Sequence, residues 1–272
     1  MERVNAGSDI EKRGKLLLLA GLIAVAMFLN KILQKDTTIE IPRIYLNGAL
    51  YFAISFVGLL WSFNFQIKSK SILYIIQAAL FVFSEAIFIE FFFFQKFNRL
   101  YEALILLILL TLVFIGNYVA FLMANVFNVG LFKNIPLIHV GRTSSYLLSL
   151  LTIYFVTFSF LSSNLPIYIL LPLIVIAYAI VVYIHYLNIG IGGGDQIWKT
   201  ILTGLVVLTL FLGVFLTGNS HEIISFVPVV GYFLCVSVVS QSDIEYKERN
   251  VFFYLISLAV FFFVAVFINL LG

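Results

Sequence analysis

The chain has 272 residues, of which 62% are hydrophobic and only 11% are charged. A soluble domain of this length cannot bury so much apolar surface, so the composition excludes a soluble globular protein and predicts a membrane protein. The net charge of +3 does not indicate a partner nucleic acid, and the single cysteine, Cys235, excludes a disulfide framework and a cysteine zinc cluster.

Apolar runs follow one another along almost the whole chain. A polar tail at residues 1–14 precedes a first run that has no small-residue cleavage site, so we expect this run to be retained. Because about 20 apolar residues span a bilayer of roughly 30 Å, the sequence predicts an all-α, polytopic membrane helical bundle of about nine transmembrane helices. The predicted spans are residues 15–33, 44–65, 72–94, 100–126, 145–163, 165–187, 200–217, 223–239 and 251–271.

The predicted spans fall into two regions behind the N-terminal tail. Residues 15–164 form an N-terminal five-helix membrane region without a predicted role, and residues 165–272 form a C-terminal four-helix region that carries the candidate site. With residues 1–14 in the cytoplasm, eleven of the 16 basic residues fall on the cytoplasmic side. Since cytoplasmic loops are richer in Lys and Arg, we expect a multi-pass protein of the cell membrane with a cytoplasmic N-terminus and an extracytoplasmic C-terminus.

Two aspartates lie at predicted membrane boundaries of the C-terminal region. Asp195 follows four glycines within five positions, which end any regular helix. Asp243 is separated from Asp195 by two predicted spans, so both emerge on the same, cytoplasmic face. Two close carboxylates share a proton, and such a pair can activate water and polarise a scissile carbonyl without a metal or other cofactor. The sequence predicts Asp195 and Asp243 as this pair, with Asp9 as the alternative to Asp243.

The run IGIGGGD at residues 189–195 contains the G-x-G-D motif and resembles the type IV prepilin peptidases and archaeal preflagellin peptidases. The stretch at residues 243–250 resembles the second motif of that family, although the two motifs occur here in reversed order. The resemblance implies an aspartic endopeptidase that cleaves a pilin-like, membrane-anchored protein precursor with a short basic leader at the cytoplasmic face. Glu245 and Glu248 are suited to attract such a leader by charge complementarity. The candidate substrate-binding residues are Gly192, Gly193, Gly194, Lys199, Glu245, Lys247, Glu248 and Arg249.

Two further polar residues lie inside predicted spans. Glu85 lies well inside the third span, where a carboxyl group is costly and favours a functional role. It either binds a proton or an ion, or it is a protonated side chain packed against a neighbouring helix. His185 lies about two helical turns before Gly192, where it either tunes the aspartate pair or is simply packed in the bundle.

Two other functions are compatible with the sequence. A proton- or ion-coupled transporter would use the glycine break at residues 190–194 as a discontinuous helix and Glu85 as the coupling acid. A lipid-linked glycan or cell-envelope transferase would share the aromatic-rich spans, but it would be expected to carry a larger extracytoplasmic loop or an acidic metal-binding cluster. A chelator separates the classes, because only the transferase should lose activity.

Overall fold

The computed structural model of the chain describes residues 6–33, 41–68, 71–92, 100–129, 135–163, 165–191, 193–215 and 225–241. The regular secondary structure within these ranges is α-helical and consists of eight helices. In chain order they are α1 (Ala6–Leu33), α2 (Ile41–Ser62), α3 (Ser71–Phe92), α4 (Leu100–Val129), α5 (Ile135–Ser162), α6 (Ile167–Ile189), α7 (Gly194–Phe215) and α8 (Phe226–Gln241).

Seven of the helices in the described part of the chain, α1 to α7, are long and apolar enough to cross a membrane. The remaining helix, α8, has 16 residues and a length of about 24 Å, which is short of a full crossing. The described part of the predicted eighth span is therefore helical, and residues 223–224 of that span lie outside the described residues. The predicted ninth span, residues 251–271, lies outside the described residues.

The outer faces of α1 and α2 are apolar. Leu18, Leu22 and Leu29 of α1 are 53%, 59% and 48% exposed, and Leu46 and Leu50 of α2 are 62% and 53% exposed. These residues recur at helical spacing and form continuous stripes, which a protein in water cannot expose at this extent. The predicted all-α membrane bundle is confirmed: the chain is a multi-pass, membrane-embedded helical protein.

The chain forms two compact units, Met1–Leu148 and Ser149–Gly272, and the boundary falls within α5. In unit 1, α2 packs against α3, α1 packs against α2 and α4, and α3 packs against α4. The three-part division predicted from the sequence stays a prediction.

The third helix is the most enclosed element of unit 1. Of the 22 residues of α3, 16 are buried, compared with five of the 22 residues of α2. The buried polar side chains of α3 are Ser71, Gln77, Ser84, Glu85 and Glu90. Polar groups at membrane depth turn toward the protein interior because lipid cannot hydrogen-bond them, so these residues require α3 to be surrounded by other helices.

Two glycines of α2 permit close contact with neighbouring helices. A Cβ atom added at Gly48 would lie 2.7 Å from Cγ2 of Ile87 on α3, and one added at Gly58 would lie 2.5 Å from Cδ1 of Leu19 on α1. Helices in a membrane associate through van der Waals packing, and small residues allow their backbones to approach. Both glycines are therefore packing positions.

A buried pair of side chains joins α3 to the part of α5 that belongs to unit 1. Ser145 Oγ donates to Gln77 Oε1 at 2.9 Å, and Gln77 Nε2 donates to the Ser145 carbonyl at 3.1 Å. Since Q77L removes both buried hydrogen bonds, it should lower the free energy of unfolding by about 1–2 kcal/mol. Denaturant unfolding in detergent measures this loss. The control Q66L changes an exposed glutamine, so a loss of similar size in Q66L would contradict the assignment.

The start of α5 differs from the prediction. The predicted fifth span begins at residue 145, whereas α5 begins at Ile135. Pro136 is compatible with the first helical turn, where its missing amide proton is not needed. The Thr143 hydroxyl donates to the His139 carbonyl at 3.0 Å, so a polar side chain is satisfied within the helix. The segment that lacks an apolar pattern is therefore helical from residue 135 onward.

Unit 2 contains α6, α7, α8 and the second part of α5. The Tyr178 and Thr157 hydroxyls lie 2.6 Å apart and connect α6 to α5, and the Tyr154 ring packs on Phe226 of α8 with centroids 4.6 Å apart. The helices α6 and α7 pack against each other, as do α7 and α8. Because only residues 190–193 connect α6 to α7, the two helices run antiparallel.

Candidate functional site

The C-terminal end of α6 is closed by a left-handed glycine. Gly190 has φ 89° and ψ 9°, a conformation that glycine adopts without a steric cost. Its amide nitrogen donates to the Leu187 carbonyl at 3.1 Å, and the Ile191 amide donates to the Tyr186 carbonyl at 3.2 Å. These bonds satisfy carbonyl groups that a helix end leaves free. The prediction that the glycine run ends a helix is confirmed.

Asp195 lies in the first turn of α7 and is exposed. The preceding Gly193 has a positive φ of 73°, whereas Gly192 lies outside the described residues. A carboxylate in the first turn is favoured by the free amide groups and the positive end of the helix dipole. Trp198, three residues further on, is 67% exposed, as is typical of a membrane interface. Asp195 is thus an accessible acid at the boundary between two full-length helices.

Gln196 holds the start of α7 against α6. Its side chain is 4% exposed, and its Nε2 atom donates to the Tyr183 carbonyl at 3.1 Å. Two turns later, the Thr203 and Tyr186 hydroxyls lie 2.6 Å apart. Gln196 is not among the site residues predicted from the sequence. The available signal was an amide side chain two residues after the last glycine of the run, next to Asp195.

The other predicted members of this site are placed only in part. Lys199 lies four residues after Asp195 on α7, so it shares the same side of the helix, and it is half-buried. The last described helix, α8, ends at Gln241. The pairing of two aspartates therefore stays a prediction. The candidate residues that lie outside the described ranges are Asp243, Glu245, Lys247, Glu248 and Arg249, and the side chain of Asp9 is also not described.

His185 is buried among aromatic rings of unit 2. Its ring lies edge-on to the rings of Tyr186 and Tyr232, with a centroid distance of 5.8 Å to each. The side chain is 7% exposed. These contacts are those of a packed residue, while the suggested influence of His185 on the aspartate pair stays a prediction.

A second polar centre lies inside unit 1. Glu85 on α3 is 6% exposed, and the fully buried Asn117 side chain of α4 lies against its carboxyl group. A Cβ atom added at Gly116 would lie 3.5 Å from Glu85 Oε1. Glu90 turns instead toward α1, where Asn30 Nδ2 donates to its Oε1 atom at 3.2 Å. Glu85 is predicted from the sequence, whereas Asn117 is not, although an amide in the middle of an apolar run is a signal for it.

Within the described ranges, no group of three or more His, Cys, Asp or Glu side chains is placed to hold a metal ion. Comparisons with protein-family models, with curated proteins and with solved structures found no match for this chain. A functional assignment therefore depends on the residues of the chain itself.

The backbone conformation of Gly190 gives a direct test of the turn. In G190A an alanine must adopt φ near 89°, which should lower the free energy of unfolding by about 1–2 kcal/mol. The matched control is G194A, because Gly194 lies in helix α7 and a Cβ atom there would meet nothing within 4 Å. Thermal unfolding in detergent compares the two variants. Equal stabilities would contradict a left-handed conformation at Gly190.

Proposed function

We propose that this chain is a membrane-embedded aspartic endopeptidase in which Asp195 and Asp243 form the catalytic pair. The observation that carries the proposal is the place of Asp195, an exposed carboxyl group at the first turn of α7. It follows a turn with two left-handed glycines, Gly190 and Gly193. An acid at this boundary can reach both water and a substrate chain that emerges from the bilayer. The resemblance of residues 189–195 to the prepilin peptidases supports the same assignment.

Hydrolysis would proceed by general acid–base catalysis. One aspartate, ionised, takes a proton from a water molecule as the water oxygen attacks the scissile carbonyl carbon. The other aspartate, protonated, donates a hydrogen bond to the carbonyl oxygen. When the tetrahedral intermediate collapses, the C–N bond breaks and the amine leaves with a proton from the pair. One shared proton is enough, because two adjacent carboxylates do not both ionise without a large cost.

The proposed substrate is a membrane-anchored protein precursor with a short basic leader before an apolar helix. Basic residues of the loops favour a cytoplasmic N-terminus, and on that topology Asp195 and Asp243 both face the cytoplasm. Glu245 and Glu248 follow Asp243 closely in sequence, so they would attract a basic leader and repel an acidic one. The leader would then lie beside the catalytic pair while the apolar helix stays in the bilayer.

A reconstituted cleavage assay tests the proposal. The purified full chain in liposomes is mixed with a synthetic precursor that has a Lys- and Arg-rich leader followed by an apolar helix, and the products are identified by mass spectrometry. We expect one cut between leader and helix, unchanged by a chelator. A matched precursor whose leader carries Gln in place of each Lys and Arg should be cut more slowly. Failure to cut any basic-leader precursor would reject the proposal, and loss of cutting on chelation would exclude a metal-independent mechanism.

A further inference from the structure

The surroundings of Glu85 in unit 1 are unusual for a carboxyl group. Glu85 is the fifteenth residue of α3, so it lies about 10 Å from the end of that helix and well within the apolar part of a bilayer. It is 6% exposed. Phe81, one turn earlier on the same side of α3, also packs toward Gly116 of α4. An isolated carboxylate in such a place is costly, so the group must hold a proton or a positively charged partner.

No described side chain supplies that positive charge. The titratable and charged groups on α3 and on the helices packed against it form no ion pair or hydrogen bond with Glu85 in the described part of the chain. Glu90 on the same helix turns toward Asn30. The remaining described groups of this kind are Arg43, Tyr45 and Tyr51 on α2, Tyr74 on α3, Tyr118 on α4, His139, Arg142 and Tyr146 on the unit 1 part of α5, and Glu11, Lys12, Arg13 and Lys15 on α1. A bound proton is therefore the simplest way for Glu85 to be accommodated.

Asn117 makes the site suited to both protonation states. Its side chain is fully buried and lies against the Glu85 carboxyl group. Neither amide atom of Asn117, nor Glu85 Oε2, completes a hydrogen bond within the described residues. An amide can accept a hydrogen bond through its oxygen or donate one through its nitrogen. A small rotation of Asn117 would thus pair its oxygen with the protonated acid, or its NH₂ group with the carboxylate.

We infer that Glu85 and Asn117 form a reversible proton-binding site inside unit 1 of the membrane bundle. The site belongs to α3 and α4, whereas Asp195 belongs to α7, so it is independent of the proposed peptidase chemistry. The proton is carried by the Glu85 carboxyl group, and Asn117 supplies the hydrogen bond in each state. Because the pair needs no other partner, the site takes up and releases one proton without forming or breaking an ion pair.

Chemical labelling of Glu85 in the full-length protein tests this inference. A hydrophobic carbodiimide adds to protonated carboxyl groups in apolar surroundings, and mass spectrometry locates the adduct. Labelling of Glu85 should be high at acidic pH and fall about tenfold for each pH unit above its midpoint. E85Q should lose this adduct, whereas the matched variant E90Q should keep it. Absence of labelling at every pH, or equal labelling at every pH, would overturn a reversible proton site.

The role of Asn117 has its own readout. In N117L the Glu85 carboxylate loses its amide donor. Labelling of Glu85 should therefore persist to a pH about one unit or more above that of the unsubstituted protein, because a shift of this size corresponds to the strength of a hydrogen bond to a charged group. N125L makes the same change two turns along α4 and should leave the midpoint unchanged. An unchanged midpoint in N117L would remove Asn117 from the site. Suppression of labelling by Na⁺ at constant pH would assign a cation site and overturn the proton assignment.

Discussion

Replacing Asp195 with asparagine should lower the cleavage rate of a basic-leader precursor by about 10³-fold, the usual contribution of a catalytic acid or base. Asparagine keeps the shape of the side chain but can neither take a proton from water nor share one with a second acid. Because Asp195 is exposed in the first turn of α7, the substitution removes no buried contact. The amount of protein inserted in the membrane should therefore stay unchanged. Initial rates on the synthetic precursor, per mole of purified protein, measure the effect.

The control for this prediction is a second acidic position outside the proposed pair. Asp36 lies in a polar segment that the predicted topology places on the opposite face, so D36N should keep the full cleavage rate. D243N should lower the cleavage rate as much as D195N does. The double variant should lower the rate no further, because the two acids act as one unit. Full activity in D195N would remove Asp195 from the catalytic pair.

Replacing Gly48 with leucine should lower the free energy of unfolding by about 3 kcal/mol, at the upper end of the cost of overpacking. A Cβ atom at this position already lies 2.7 Å from Cγ2 of Ile87 and 3.1 Å from the Phe83 ring. Both obstacles are stiff, since one is a β-branched side chain and the other an aromatic ring. The helices α2 and α3 must separate to admit the leucine, and this loses van der Waals contact that lipid does not replace.

The matched control for this substitution is G14L on α1. Gly14 is exposed, and a Cβ atom there would meet nothing within 4 Å. Denaturant unfolding followed by tryptophan fluorescence should place the midpoint of G48L well below that of the unsubstituted protein and leave that of G14L close to it. Equal midpoints for G48L and G14L would mean that α2 and α3 are not in close contact at Gly48.

The membrane fold follows from composition and run length, but the packing does not. Apolar runs of about 20 residues predict helices because a bilayer leaves the backbone no other partner for its hydrogen bonds. The same runs are apolar on all sides, so periodicity does not indicate which face meets protein and which meets lipid. The contacts of Gln77 with Ser145 and of Glu85 with Asn117 could not be predicted for that reason.

The part of the candidate site that depends on local backbone conformation, the turn between α6 and α7, could be predicted from the sequence. Gly190 and Gly193 adopt positive φ, the conformation that most favours glycine, and the first turn of a helix favours an acid such as Asp195. The anchoring of the turn by Gln196 was not predictable, because it depends on the position of the Tyr183 carbonyl on the neighbouring helix. The helical start of α5 at Ile135 was not predicted, because the polar residues in its first turns interrupt the apolar run by which the span was identified.

The central claim, that Asp195 and Asp243 meet, is tested most directly by cross-linking. In a protein whose only native cysteine, Cys235, is replaced by serine, D195C and D243C are introduced together and treated with an oxidant or a short thiol cross-linker. We predict efficient cross-linking, because the two residues of a catalytic pair lie close together. A disulfide or a short cross-linker can join such residues, since two disulfide-linked cysteines have Cα atoms at most about 7 Å apart. The control pairs I197C with D243C, since Ile197 is exposed on a different side of α7. Cross-linking of I197C that equals or exceeds that of D195C would contradict the account.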